Sequence, residues 1–272
     1  LTTGQQNVAL GYNALGAEDT GNKSVAVGIS ALAAQNNDDN NFNVAVGHQA
    51  GFSVTTGVQN VIMGGLAGDA LTDADFNVAV GYAALGADTL GSRSVAIGYA
   101  ALDAQNFTTA TNTFNTAVGF EAGGAVTTGV NNTIIGGLAA DALTVGRQNV
   151  AIGVHALGAD NGGSHNVAIG LDSLAAQNFT TDTDVYNTAV GMNSGASVTT
   201  GVQNTIVGAL AGDALTTGAN VVAMGYAALS SDTKGFGSVA IGQQALENQN
   251  FTTATDSFNT AVGFFAGNDV TT

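Results

Sequence analysis

The 272 residues contain no proline, no cysteine and no tryptophan, and only 9% of them are charged. Without cysteine, neither a disulfide framework nor a thiolate metal site can form. Twenty residues are acidic and four are basic, for a net charge of −16; the basic residues are Lys23, Arg93, Arg147 and Lys234. We therefore expect no nucleic-acid partner, because such a surface needs many cations. No apolar run approaches the roughly 18 residues of a transmembrane helix, so we expect no membrane insertion.

What the chain has in excess is glycine, with 39 copies, and an internal repeat. The pentad Asn-[Val/Thr]-Ala-[Val/Ile]-Gly, or a close variant of it, occurs fifteen times. Most successive copies have the same spacing, which is the interval from Gly64 to Gly81. After every fourth coil the spacing is longer, so that a four-coil block repeats from Gly119 to Gly191 and again to Gly263. The pentad glycines are Gly11, Gly28, Gly47, Gly64, Gly81, Gly98, Gly119, Gly136, Gly153, Gly170, Gly191, Gly208, Gly225, Gly242 and Gly263.

A period this short predicts the fold class. The interval between two pentads is too short for a strand, a helix and two turns with a core, but it suits one coil of a parallel β-solenoid or β-roll. We therefore predict an all-β protein of about fifteen coils, with residues 1–272 forming a single continuous repeat array. Both ends fall inside the pattern, so we expect the chain to be a window of a longer fibrous protein.

The pentad has the alternation of a β-strand. Its second and fourth residues are β-branched or apolar and share one face, whereas its third is Ala, or Ile in three copies, on the other face. The invariant Gly predicts a positive φ or a close approach of neighbouring backbones. Asn opens eleven of the fifteen pentads, which predicts a ladder of amide hydrogen bonds between coils.

The interior also shows a compensating pattern. Eight coils have Leu four residues after the pentad Gly; these residues are Leu15, Leu32, Leu85, Leu102, Leu157, Leu174, Leu229 and Leu246. The other coils have Gly or Ala there and an apolar residue three places later; these residues are Val54, Leu71, Val126, Leu143, Val198, Leu215 and Val270. Each coil thus keeps one large apolar side chain, as a constant interior volume requires.

Several coils resemble a known family. The segments SVAIGYAALDAQN (94–106), NVAIGLDSLAAQN (166–178) and SVAIGQQALENQN (238–250) are similar to the head repeats of trimeric autotransporter adhesins. Similar NTAVG arrays occur in phage tail fibres and in large bacterial surface proteins. The resemblance implies a left-handed parallel β-roll, three chains around one axis and an adhesive role outside the cell. The coils are longer than those of adhesin heads, which leaves a higher cyclic oligomer open.

The longest coil of each complete block inserts a Thr-rich loop that is bracketed by aromatic residues. The brackets are Phe107 and Phe114, Phe179 and Tyr186, and Phe251 and Phe258. One interpretation is a row of surface-contact loops that bind protein or glycan with avidity. The other is that the aromatic rings pack the loop against the solenoid or a neighbouring chain.

Acidic residues recur at two coil positions, as Asp69, Asp141 and Asp213 and as Asp88, Asp160 and Asp232. They predict a solvated acidic edge that opposes aggregation, and binding of Ca²⁺ between neighbouring coils is the alternative. Otherwise we expect no metal and no cofactor. No polar cluster breaks the repeat, so we assign no catalytic residue and expect no enzymatic activity.

These features predict a structural and adhesive segment of an extracellular or virion fibre. The expected partners are identical chains, as a homotrimer or a higher cyclic oligomer, and a protein or glycan on a host or prey surface. The alternative is a monomeric solenoid that binds an ordered surface such as ice or polysaccharide. The VTTG segment recurs only once in each four-coil block. A regular Thr lattice is therefore not expected, which disfavours the alternative.

Overall fold

The computed structural model describes residues 3–272 and contains strands, turns and bends but no helix in that range. None of the described residues forms a helix able to cross a membrane. About fifteen parallel coils form a β-solenoid, and each coil contributes one strand to a parallel sheet, which confirms the predicted fold class. The chain divides into two compact units; the first ends at Asn132 and the second begins at Thr133.

In the first unit, seven three-residue strands, one per pentad, pair in parallel in the order of the chain. They are β1 (Val8–Leu10), β2 (Val25–Val27), β3 (Val44–Val46), β4 (Val61–Met63), β5 (Val78–Val80), β7 (Val95–Ile97) and β9 (Thr116–Val118). The inserted loop adds one short parallel pair, β6 (Gly91–Ser92) with β8 (Thr111–Asn112).

The second unit repeats this arrangement with eight pentad strands. They are β10 (Thr133–Ile135), β11 (Val150–Ile152), β13 (Val167–Ile169), β15 (Thr188–Val190), β16 (Thr205–Val207), β17 (Val222–Met224), β19 (Val239–Ile241) and β21 (Thr260–Val262). Two loop pairs accompany them, β12 (Gly163–Ser164) with β14 (Thr183–Asp184) and β18 (Gly235–Phe236) with β20 (Thr255–Asp256).

The register within each unit places identical pentad positions side by side. Val44, for example, pairs with Val61, and Ala45 pairs with Ile62. From β2 onward the middle residue of every pentad strand is buried, so the Ala and Ile column faces the core. The first and third residues of each strand therefore point away from the core.

The apolar side chains that fill the core follow the predicted compensation. Leu32 and Leu102 are fully buried in the coils that have Leu, and Val54 and Leu71 are fully buried in coils that lack it. In the latter coils a Cβ on Gly51 would overlap the Cδ1 of Ile62. The small residue therefore makes room for the Ile that replaces Ala in the neighbouring strand, and the packing density stays constant.

The pentad glycines meet both requirements that their invariance predicts. Gly98 has a φ of 137°, in a region open only to glycine. A Cβ at this position would overlap the carbonyl oxygen of Gly119 in the next coil. Neighbouring coils of a unit thus approach each other backbone to backbone at this corner.

The backbone also turns through the left-handed region at positions that are not glycine, which the sequence did not reveal. Within one coil Arg93, Ala100 and Leu102 have φ values of 67°, 51° and 51°. Such conformations are uncommon for residues with a side chain and each has an energetic cost. All three N–H groups donate to carbonyls of neighbouring coils, at N–O distances of 3.0, 2.9 and 3.1 Å. These hydrogen bonds offset the strain.

The predicted amide ladder is present and includes the backbone. Asn60 is fully buried, and its Nδ2 donates to the carbonyl of Ala74 at 2.8 Å. Its own N–H donates to Oδ1 of Asn43 at 2.9 Å, and the N–H of Asn77 donates to Oδ1 of Asn60 at 2.9 Å. Each buried amide therefore links its coil to the coils on either side, and no polar group of the side chain is lost to burial.

We expect Gly98→Ala to destabilise the fold by several kcal/mol (~3 or more), because the added Cβ meets a carbonyl and the φ is unfavourable for alanine. Gly124→Ala is the matched control, since its Cβ would make an ordinary 3.4 Å contact with the carbonyl of Glu121. Urea titrations followed by circular dichroism measure both variants. Equal stability of the two would contradict the proposed close approach.

Candidate interaction surface

Each unit exposes an apolar surface on the outward side of its pentad strands. We define this outer face as the first and third residues of each three-residue strand together with the residue that follows the pentad glycine. Large apolar side chains of the outer face are exposed in both units. They are Val8, Leu10, Tyr12, Ile29, Val61, Met63, Tyr82, Ile97, Tyr99 and Phe120 in the first unit, and Ile135, Val154, Leu171, Met192, Met224, Tyr226, Val262 and Phe264 in the second.

Aromatic rings on the outer face of the first unit stack on one another. The ring centroids of Tyr82 and Tyr99 are 5.6 Å apart, and those of Tyr99 and Phe120 are 5.2 Å apart. The rings are nearly parallel, with interplanar angles of 14° and 9°. The coil spacing fixes this arrangement, because the three residues occupy the same position in successive coils.

The size of the outer face is comparable to the largest apolar patch that a typical monomeric protein exposes. Eight strands at ~4.8 Å spacing and three residues at ~3.3 Å each give roughly 400 Å² of flat surface for the second unit. The largest apolar patch of a typical monomer is ~300–600 Å² and is often functional. Because the chain is poor in charge, little on this face opposes its burial.

In the first unit, two cationic residues precede strands of the outer face and two acidic residues follow strands of that face. Lys23 and Arg93 lie two residues before β2 and β7, respectively. Beyond the other end of the strands, five residues after the pentad glycine, lie Asp69 and Asp103 in the first unit. Burial raises the pKa of both carboxyl groups above the ordinary value. At Asp69, the charge of Asp103 raises the pKa further, whereas backbone hydrogen bonds lower the pKa of this group. The carboxyl groups of Asp69 and Asp103 are therefore partly removed from solvent where they lie near each other.

The inserted loops start at a buried carboxylate. Asp88 is fully buried, and its Oδ1 accepts hydrogen bonds from the N–H groups of Gly91 and Phe107 at 3.1 and 3.0 Å. Its Oδ2 accepts from Nε2 of Gln105 at 2.6 Å. Asn115 in turn donates to Oε1 of Gln105 at 2.8 Å. The network holds the first residue of the loop against the solenoid.

The same network recurs in the second unit. Phe179 and Phe251 donate their N–H groups to the buried Asp160 and Asp232, at 2.9 and 3.0 Å. The predicted solvated acidic edge is therefore wrong for Asp88, Asp160 and Asp232. An acidic residue at this coil position predicts a surface location, but three hydrogen-bond donors satisfy each carboxylate inside the fold.

The six bracketing aromatic residues separate into two groups. The first of each pair packs inward: Phe107 is buried, with 8% of its surface exposed, and Phe179 and Phe251 are half-buried. The second of each pair is exposed: Phe114 by 55%, Tyr186 by 50% and Phe258 by 70%. The packing interpretation fits the first group, and the surface-contact interpretation stays a prediction for the second.

The exposed aromatic residues share a column with cationic and imidazole groups. The Nζ of Lys23 lies 5.0 Å from the ring centroid of Phe42, which the sequence analysis did not single out. His165 stacks on Tyr186 with ring centroids 4.9 Å apart. Such stacking limits the motion of exposed rings. The column therefore presents an ordered aromatic surface beside the loops.

The loops themselves are held by their own hydroxyl groups. Thr111 donates to the carbonyl of Thr109 at 2.9 Å, and Thr183 donates to the carbonyl of Thr181 at 2.9 Å. Their tips, such as Thr108 and Thr109, are exposed. A short turn of this kind loses little conformational entropy when a partner binds.

Threonine residues also form a column that asparagine interrupts, and this column is not a regular outward lattice. Eight residues after the pentad glycine, successive coils carry Thr55, Thr72, Thr89 and Asn106. The hydroxyl of Thr55 donates to the carbonyl of Thr72 at 3.3 Å, and that of Thr72 donates to the carbonyl of Thr89 at 3.1 Å. These hydroxyl protons therefore strengthen the solenoid and do not point to an external lattice.

Over residues 3–272, no three His, Asp or Glu side chains come close enough together to hold a metal ion. Comparisons of the chain with protein-family models, curated proteins and solved structures gave no significant match. The outer face, the charged ends of that face and the loops are therefore the features from which a function is inferred.

We expect Asp232→Asn to loosen the loop that begins at Phe251. The carboxylate accepts three hydrogen bonds, from Gly235, Phe251 and Gln249, and an amide would turn a donor toward at least one of these donors. The cost is about 1–3 kcal/mol, because a buried polar group is left unsatisfied. Hydrogen exchange of the Gly235 and Phe251 amides should accelerate. Asp256→Asn, an exposed change in the same loop, should leave both amides protected; equal exchange in the two variants contradicts the assigned role.

Proposed function

We propose that this protein is a structural and adhesive segment of an extracellular or virion fibre, built from identical chains that associate through the outer face. The observation that carries the proposal is the exposure of apolar side chains along the strands of both units. A solenoid with so slim a core gains much of its stability from burying a further face. The role is mechanical and adhesive, not catalytic.

Charge complementarity supports a second copy of the chain as the occupant of the outer face. Lys23 and Arg93 lie before the strands, and Asp69 and Asp103 lie beyond them. If two copies run in the same direction, rotation about the direction of strand stacking brings the cationic end of one face to the acidic end of the other. Antiparallel copies bring like charges together, which costs free energy. Cyclic assemblies of parallel copies, with three chains or more, meet this condition.

Binding of a partner surface is assigned to the loops. The exposed rings of Phe114, Tyr186 and Phe258 stand beside Thr-rich tips, and aromatic rings with nearby hydroxyl groups suit contacts to glycans or proteins. Equivalent loops recur once in each complete four-coil block, so an assembly of several chains presents many of them. Weak contacts then add up through avidity.

The competing function is a monomeric solenoid that binds ice or a polysaccharide lattice. It requires an outward array of free hydroxyl groups. The column at Thr55, Thr72 and Thr89 donates its hydroxyl protons to neighbouring coils, which disfavours this function.

The solution mass of the purified protein tests self-association. We expect light scattering to give an integral multiple of 26.7 kDa, with three copies as the first expectation. Ile97→Asp should reduce the mass to that of one chain, because it places a carboxylate on the apolar outer face of the first unit. Thr109→Asp, on a loop tip, should leave the multiple unchanged.

A wild-type protein that is folded by circular dichroism and has the mass of a single chain at micromolar concentration would overturn the self-association proposal. It would make the monomeric solenoid the better hypothesis. A folded Ile97→Asp variant that keeps the wild-type mass would move the interface away from the outer face.

A glycan array tests the loops separately. We expect the oligomer to bind a subset of glycans, and the variant with Phe114, Tyr186 and Phe258 all changed to Ser to lose at least about ten-fold of the signal at unchanged mass. The control changes Phe52 to Ser, an exposed aromatic residue that lies outside both the loops and the outer face. Retention of the signal in the triple variant would contradict the role of the loops, and an array without any bound glycan would contradict the glycan as the partner.

A further inference from the structure

The inserted loops begin with the same tripeptide in three of the four-coil blocks. Asn-Phe-Thr occupies residues 106–108, 178–180 and 250–252. The N–H groups of the three Asn residues donate to carbonyls of the next coil, at 3.0, 3.0 and 2.8 Å. The chain leaves the solenoid directly after them, so each tripeptide lies at the base of a loop.

Asn-x-Thr is the acceptor sequence for N-linked glycosylation, and the amide nitrogen is the atom that receives the sugar. Two further matches occur in the chain, Asn22-Lys23-Ser24 and Asn131-Asn132-Thr133. A chain this rich in Asn and Thr contains such matches by chance. The surroundings of each match therefore decide which are usable.

The amide nitrogen of Asn106 is available. The hydroxyl of Thr89 lies 3.3 Å from Oδ1 of Asn106 but donates its proton over the shorter distance of 2.8 Å to the carbonyl of Phe107, and Thr233 makes the equivalent contacts with Asn250 and Phe251 at 3.2 and 2.8 Å. The Nδ2 groups of Asn106 and Asn250 take no part in the amide ladder. Asn106 and Asn178 are exposed and Asn250 is half-buried, whereas the amides of the pentad Asn residues are buried donors.

The other two residues of the tripeptide complete the site. The N–H of Phe107 is fixed by Asp88 and its ring is buried, so the backbone between Asn106 and Thr108 is ordered. Thr108 is exposed, as are Thr180 and Thr252. The hydroxyl that recognition of the acceptor requires is therefore accessible at all three positions.

The two remaining matches lie within the ladder. Ser24 is fully buried, and Oδ1 of Asn22 accepts the N–H of Gln5 at 2.7 Å. Asn131 has a φ of 60° and donates its N–H to Thr113 at 2.8 Å, and Thr133 is the first residue of β10. In both matches the hydroxyl residue belongs to the solenoid: Ser24 is buried and Thr133 is half-buried in β10, whereas Thr108 is exposed.

We propose that Asn106, Asn178 and Asn250 are acceptor sites for N-linked glycans. In the transfer, Nδ2 forms a bond to the anomeric carbon of a nucleoside-diphosphate sugar while the bond from that carbon to the phosphate oxygen breaks. The amide releases one proton, and the nucleoside diphosphate departs with the electron pair. No other atom of the chain changes its bonding.

The position of these sites is compatible with self-association but does not depend on it. Each Asn lies eight residues after a pentad glycine, about half a coil away from the strand that carries the outer face. A glycan there would extend from the loop side and leave the outer face uncovered. Failure of the glycosylation test therefore leaves the proposed fibre function standing, and failure of the mass measurement leaves this proposal standing.

The test uses the purified, folded protein with a soluble asparagine glucosyltransferase and UDP-glucose. We expect intact-mass spectrometry to show up to three added hexoses, and peptide mapping to place them on Asn106, Asn178 and Asn250. The variant Thr108→Ala, Thr180→Ala, Thr252→Ala keeps every Asn but removes the acceptor hydroxyls, and it should gain no hexose. Asn131→Gln, the matched control, should gain as many hexoses as the wild type.

A synthetic peptide spanning residues 104–112 serves as the positive control for the enzyme. Modification of the peptide without modification of the folded protein would overturn the proposal. Equal modification of Asn22 or Asn131, or modification only after unfolding in urea, would overturn it as well, because the folded loop would then confer no selectivity.

Discussion

Everything in this solenoid depends on the approach of neighbouring backbones at the pentad glycine. The carbonyl of Gly119 occupies the space where a side chain of Gly98 would lie, and the backbone at Gly98 has a φ of 137°. Because the hydrogen bonds of one coil are made with the next, each coil of a unit must repeat the φ and ψ angles of its neighbours. This explains why Arg93, Ala100 and Leu102 accept left-handed conformations that isolated residues avoid. It also agrees with the absence of proline, which would remove an N–H from the ladder.

The interior is specified as much by polar groups as by apolar ones. Aliphatic side chains of similar size can exchange places in a core with modest loss, but Asn60 or Asp88 cannot move by one position without losing its partners. A buried polar group that is fully hydrogen-bonded thus fixes the register of the coils. The Ala column and the alternating Leu and Val positions then fill the remaining volume.

Much of this arrangement can be predicted from the sequence, because the repeat shows many examples of the residue at each coil position. The exchange of Leu102 for Val126 in the following coil predicts a constant interior, and the pentad glycines predict the close backbone approach. Three features escaped prediction. The acidic side chain of Asp88 predicts a surface position, since no local pattern shows that Gly91, Phe107 and Gln105 all donate to it. The left-handed residues carry ordinary side chains, and the different exposure of Phe107 and Phe114 depends on which ring the loop folds over.

The pairing of Asp88 with Gln105 has a further consequence for how such an array changes over generations. The two residues belong to successive coils of different kinds, and the same partnership recurs between Asp160 and Gln177 and between Asp232 and Gln249. Loss of either coil of such a pair by recombination, or insertion of a coil between them, would separate a buried carboxylate from its donor. Loss or gain of a complete four-coil block preserves every partnership. Lineages that carry this array are therefore expected to differ in length by whole blocks, while the order of the four coils within a block stays fixed.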